Sequence, residues 1–420
     1  MRPLLALLFL LPAAAHAAEP ATVAATYADL AEAAYTDSLT TAESLDSAVA
    51  ALIAGPSPET LQAARTAWAL ARIPYSQTEV FRFGNPAVDA WEGRVNAWPL
   101  DEGLIDYVAA APDATNPLAT LNVVGTPRFT LSGRAIDGTT ITPALIRTLH
   151  EADGHEANVA SGYHAIEFLL WGQDLNGTAP GAGDRPHTDF LQTAACTNGN
   201  CDRRAAYLAA ATSLLVSDLA EMTAAWSASG PARTRLTADP EAALAAMLTG
   251  MGSLGYGELA GERMKLGLML NDPEEEQDCF SDTTPTSHLY NGIGIRNVYL
   301  GRYTRPDGST LAGPSLSDLV AAKDAGLDTR LRAELDASVA ALTAIQTAAQ
   351  NGTAYDQMLA PDNTTDNTTD NTTGAALITT AVNALVAQTT SVTGAVATLG
   401  LSPVTFEGSD SLDAPEAVFQ

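Results

Sequence analysis

The chain has 420 residues, 21 Lys+Arg against 49 Asp+Glu, and a formal charge of −28. With 46% hydrophobic residues it is globular in composition, which excludes disorder along the whole chain. The acidity argues against unspecific binding to nucleic acid or anionic lipid, which needs basic patches. Aromatic residues are only 6% and alanine is abundant, a bias toward close-packed helices over sandwiches or barrels.

Residues 1–17, MRPLLALLFLLPAAAHA, place one arginine before an apolar run at 4–11 and end on Ala15-His16-Ala17. This pattern predicts a signal peptide, and so an exported mature chain, periplasmic in a Gram-negative bacterium. No later stretch reaches about 18 uninterrupted apolar residues, so no transmembrane segment is expected. Apolar positions at three- and four-residue steps predict a helix over 22–53, closed by Gly55-Pro56. A second helix is predicted over 59–72, stopping before Pro74.

Residues 74–100 hold five aromatics, Tyr75, Phe81, Phe83, Trp91 and Trp98, and read as irregular but packed. Glu79 and Arg82 lie three apart there and form either a structural ion pair or part of a site. In Trp98-Pro99-Leu100-Asp101-Glu102, Pro99 can open a helix whose first turn carries Asp101 and Glu102, favourable for the helix dipole alone. Loops or a short hairpin are expected at 124–143, a helix at 161–172, and a loop at 176–187.

Cys196-Thr-Asn-Gly-Asn-Cys201 closes a small loop around Asn-Gly, and export permits a Cys196–Cys201 disulfide. Cys279 is then left as a buried thiol. Long helices are predicted at 202–228, 240–270 and 315–350. In the second, Glu258 and Glu262 share a face. The acidic run DPEEEQD at 272–278 reads as a solvated loop, with a cation site as the rival reading. DNTTDNTTDNTT at 362–373 has no apolar residue and is expected to be a flexible insert before a last helix at 375–399. The expected architecture is all-α, with two helical bundles, 21–197 and 198–420.

The chemistry concentrates in GYHAIEFLLWGQD, 162–174. His164 and Glu167 are three apart on the predicted helix and project from one face, which Trp171, seven residues on from His164, shares. Ile166, Leu169 and Leu170 lie opposite. Imidazole nitrogen and carboxylate oxygen at this spacing form half of a zinc or iron site. A buried hydrogen-bonded pair is the plainer reading. The chain has no HExxH, GxSxG, GxxxxGK[ST] or CxxCH motif.

GYHAIEFLLWGQD resembles the GxHxxE motif of the imelysin family, which includes iron-regulated protein A-like and insulin-cleaving outer-membrane proteins. The blocks at 74–108, 196–208, 258–264 and 291–303 are similar to further family blocks, in the expected order. The DNTT insert departs from the pattern. The resemblance implies two helical bundles side by side with a groove between them and a metal at His164 and Glu167. By the same match Glu79, Arg82, Trp98, Asp101 and Glu102 should surround it. It also implies bacterial iron acquisition in the periplasm or at the outer membrane. Iron or an iron-bearing small ligand would be the cargo, zinc being a poorer match. The rival readings are a metal-dependent peptidase and a metal-free protein that binds an envelope iron-uptake partner.

Overall fold

The computed structural model describes residues 18–109, 115–360 and 372–419. The expected signal peptide and residues 362–371 of the DNTT insert lie outside the described residues. The chain is helical: α1 (Pro20–Ala54), α2 (Pro58–Ser76), α3 (Pro86–Asn96), α4 (Pro143–Leu149), α5 (Gly162–Trp171), α6 (Cys201–Trp226), α7 (Pro231–Thr237), α8 (Pro240–Ser253), α9 (Leu266–Leu270), α10 (Thr284–Leu300), α11 (Leu316–Lys323), α12 (Ala325–Gln350), α13 (Tyr355–Leu359), α14 (Thr372–Leu399) and α15 (Asp410–Asp413). Two small antiparallel hairpins interrupt it, β1 (Arg128–Leu131) with β2 (Arg134–Asp137) and β3 (Arg302–Thr304) with β4 (Thr310–Ala312). The first falls within the expected 124–143 segment. Ser132 and Gly133 turn it with φ of 49° and 74°, the backbone twist that two-residue hairpins require.

Local chemistry explains most element boundaries. Ser57 and Thr60 form a capping box at the start of α2, with Pro58 in its first turn. The expected stop before Pro74 is overturned, since α2 runs on to Ser76. Pro74 lies in the final turn. There the side chains of Gln77 and Thr78 donate to the carbonyls of Ile73 and Tyr75, at 3.2 and 2.7 Å. The predicted helix over 240–270 is one helical run, but a π-helical stretch, Leu254–Lys265, separates α8 from α9. The predicted helix over 315–350 is divided at Asp324, whose carboxylate caps α12 by accepting from the Leu327 amide at 2.9 Å. The last helix begins inside the repeat insert, at Thr372.

Helix α1 packs along α2 and α6, and α5 lies against α2 and α6. Helix α6 thus follows directly on the expected boundary at 198 and joins the first set of helices. A second set pairs α12 with α14, α10 and, through α14, the π-helical stretch. The larger apolar core runs from Val23 of α1 to Val396 of α14, and a smaller one collects Leu259, Met264, Leu342, Tyr355 and Leu385. A cleft of about 820 Å³ opens between α2 and α10, lined by Ile73, Pro74, Tyr290 and Arg305 among others. Two stretches, 201–237 and 374–399, are long and apolar enough to cross a membrane by length and composition. Here half or nearly half of each apolar window is buried within the protein, at 50% and 44%.

Cys196 and Cys201 are joined in a disulfide, and Cys279 is a half-buried free thiol. A bridge across five positions constrains the unfolded chain by about 2 kcal/mol. Cys196→Ser is therefore expected to lower the melting temperature by several degrees, and reductant should have the same effect on the parent protein but none on the variant.

Candidate metal centre

Helix α5 is enclosed on every side: all ten of its residues are buried. The expectation of one polar and one apolar face does not hold, because α5 runs through the core rather than along its edge. Its entry depends on Gly162. The φ there is +84°, and a Cβ would meet the Val95 carbonyl oxygen at 2.4 Å. Ser161 Oγ donates to the Arg94 carbonyl at 2.9 Å and ties the same entry to α3. Trp171 closes the helix edge-on against Trp68, with ring centroids 5.4 Å apart.

His164 and Glu167 sit mid-helix at 0% exposure, with His164 Nδ1 3.1 Å from Glu167 Oε2. A third donor arrives from residue 278. Asp278, also at 0% exposure, brings Oδ1 to 3.7 Å from His164 Nδ1. Ser287 Oγ donates to the other Asp278 oxygen, and the Asp278 amide donates to Thr284 Oγ1 at 2.8 Å. Glu167 Oε1 accepts from both the amide and the hydroxyl of Ser281, at 3.0 and 2.7 Å. The 278–287 segment therefore orients both carboxylates.

Arg72 supplies the opposing charge. Its Nη2 lies 3.1 Å from Asp278 Oδ1, its Nη1 donates to Asn96 Oδ1 at 2.6 Å, and its guanidinium stacks 5.1 Å from the Tyr163 ring. Burial opposes the Arg72 charge, but Asp278 and Glu79 outweigh it and hold the pKa up. Burial, then the charges of Arg72 and Arg263, push His164 well below its usual pKa, so the imidazole is neutral, the form that ligates metals. Burial and the Asp278 charge push Glu167 well above the carboxylate range, against the two Ser281 hydrogen bonds. Burial also raises Asp278, against Arg72 and Ser287.

These donors fit a metal. His164, Glu167 and Asp278 each offer one ligand atom within 4.8 Å of the other two. An ion about 2.0–2.2 Å from nitrogen and oxygen donors spans pairs up to about 4 Å apart, and the 3.1 and 3.7 Å separations lie inside that reach. One imidazole with two carboxylates suits iron or zinc.

Comparison with known proteins places the chain in a lineage. The family model for imelysin, peptidase M75, matches residues 31–392. The chain belongs to the imelysin family. Its fold is similar to that of a Parabacteroides distasonis protein described as a candidate iron-regulated protein A precursor. The TM-score is 0.63 at 18% identity, covering 90% of this chain and 95% of that one. An imelysin-like protein from Psychrobacter arcticum gives a TM-score of 0.54 at 15% identity, covering 91% and 98%. In sequence, iron-regulated protein A of Synechococcus elongatus is 35% identical over 71 residues, 17% of this chain. The match spans about a fifth of that relative's length, 20%.

In this imelysin the other expected site residues take different places. Glu79 and Arg82 do not pair with each other. Glu79 meets Arg263 at 2.7 Å and accepts from Asn291 at 2.9 Å, while Arg82 bonds Asp89 and Glu258, both at 3.0 Å. Glu258 in turn meets Arg263 at 3.2 Å, so one ion network runs from half-buried Arg82 inward to Glu79. Glu258 and Glu262 part company: the first is half-buried and the second exposed. The π-helical turn between them takes more residues than an α-turn and rotates position 262 off the shared face. Trp98 is half-buried and joined to Pro99 by a cis peptide bond. Asp101 accepts from the Asn116 amide group and makes no helix cap, and only a single 3-10 turn, Glu102–Leu104, follows it. Glu102 lines a small pocket with Glu274 and Glu276.

The acidic run at 272–278 corrects the expectation of a solvated loop: Glu276, Gln277 and Asp278 are all buried. Sequence reasoning missed Asp278 and Arg72 as partners of the motif. A signal for Arg72 exists, since it falls four residues after Trp68 and eight after Ala64, both buried on α2. An arginine on an apolar stripe needs a buried partner. His288, next to Ser287, packs edge-on to Tyr355 at 5.2 Å, and burial pushes its pKa down to about 3.

Proposed function

We propose that this imelysin is an exported iron-binding protein of the bacterial envelope, with iron as cargo held by His164, Glu167 and Asp278. The observation that carries the reading is the convergence of a neutral imidazole nitrogen and two carboxylate oxygens in one enclosed cluster. The iron-regulated names of its relatives agree with it. Uptake displaces the proton held by the Glu167–Asp278 pair, so affinity should fall as pH falls.

The test is iron binding by mature protein beside His164→Ala, Glu167→Gln and Asp278→Asn, with helicity checked first. Each variant should bind iron at least about tenfold more weakly. Unchanged affinity in all three would refute the reading. A strong preference for zinc would favour the peptidase reading, although hydrolysis needs an open coordination position and room for a peptide, and these three donors have 0% exposure.

A second reading rests on Arg72. Its guanidinium, 3.1 Å from Asp278, already neutralises part of the cluster. The network can then be a metal-free core element of a protein that binds an envelope partner. That reading requires thermal stability indifferent to added iron.

A further inference from the structure

A second group of carboxylates combines Glu276 and Asp282, on the 272–284 segment, with Asp356 of α13. Glu276, Asp282 and Asp356 each bring an oxygen within 4.8 Å of the other two. Glu276 is 1% exposed and Asp356 2%. Glu276 Oε1, Asp282 Oδ1 and both Asp356 carboxylate oxygens are buried without a hydrogen-bond partner.

This group differs from the His164 cluster in charge balance. Arg72 compensates Asp278 there. Here the charges that act on the three residues are further carboxylates: Asp278 on Glu276, and Asp174 on Asp282 and Asp356. Among the described residues no lysine or arginine forms an ion pair with any of the three. Two buried carboxylates and a half-buried third, all uncompensated, are costly, and protons or a cation must relieve them. The adjoining pocket, lined by Glu276 and Asp356 with Glu102, Asp174 and Glu274, has about 10 Å³ of free space. That holds about one water-sized sphere.

We propose that Glu276, Asp282 and Asp356 form a calcium site distinct from the His164 cluster. The donors are all oxygens, which selects a hard cation over zinc or copper. Calcium takes 6–8 oxygens at about 2.3–2.6 Å in flexible geometry, and two such bonds reach the observed span. Neighbouring Glu102, Asp174 and Glu274 can complete the shell directly or through water. Magnesium demands shorter bonds in a near-ideal octahedron. A bound ion would pin the segment that also carries Asp278 and Ser281.

The test strips the mature protein with chelator and titrates it with calcium chloride by calorimetry at neutral pH, with thermal melts alongside. One calcium per chain and a melting temperature that rises with calcium are expected. Glu276→Gln and Asp356→Asn, both near-isosteric, should each weaken calcium binding at least about tenfold, while Glu262→Gln, at an exposed position, should not. The proposal is overturned by absence of heat and melting shift in the stripped parent at millimolar calcium, or by parent-like calcium affinity in both site variants.

Discussion

Replacing Arg72 with methionine is expected to destabilise the protein by about 3–5 kcal/mol, the usual consequence of removing one partner from a buried charge network. Arg72 is 1% exposed and is the cation nearest Asp278. Its loss leaves Asp278 and Glu167 facing each other with only hydrogen bonds to hold them. Methionine retains much of the packing against Tyr163, Tyr75 and Trp68, so urea denaturation should report chiefly the charge. The same variant separates the two functional readings. If the cluster holds iron, the ion no longer competes with a guanidinium for Asp278 Oδ1, and added iron should restore more stability to Arg72→Met than to the parent. If the network is purely structural, iron should leave both melting curves in place.

Gly162→Ala should cost about 3 kcal/mol or more and reduce iron affinity as well. A left-handed φ costs a non-glycine residue roughly 1–2 kcal/mol. Here the new Cβ would also approach the Val95 carbonyl oxygen to 2.4 Å, so α5 must shift and carry His164 and Glu167 with it. Gly133→Ala isolates the first effect, because its φ is +74° and nothing lies within 4 Å of the added Cβ. That variant should lose only about 1–2 kcal/mol and keep its iron affinity. Equal losses in the two variants would show that the close approach at Val95 matters little.

The second half of GxHxxE illustrates how much of the site is local. His164 and Glu167 meet because they lie three positions apart on one helix, and their 3.1 Å contact follows from that spacing. The glycine of the motif is equally local in conformation, but its necessity is tertiary: the obstructing carbonyl belongs to Val95. Glu79 and Arg82 have the same spacing yet separate, because Arg263 and Asn291 claim Glu79 while Asp89 and Glu258 claim Arg82. Buried charges choose the partners that desolvation brings nearest, and sequence distance does not reveal which those are.

The sequence by itself determined the all-helical class, the family, the His164–Glu167 pair and long helices such as α1, α6 and α14, but not α3, inside a stretch that reads as irregular, nor α10. Helical periodicity, caps and breakers act within a few residues, and a motif on one helix needs no other element to be recognised. Only the tertiary structure decided that α5 is enclosed, that Asp278 joins the pair from 114 residues beyond His164, and that Arg72 balances it. It also turned an acidic run that reads as solvated into a segment whose buried Asp278 and Glu276 each join one of two neighbouring clusters of ligand-type side chains. Desolvation is a property of the packed molecule: the same carboxylate is a surface charge or a ligand according to what covers it.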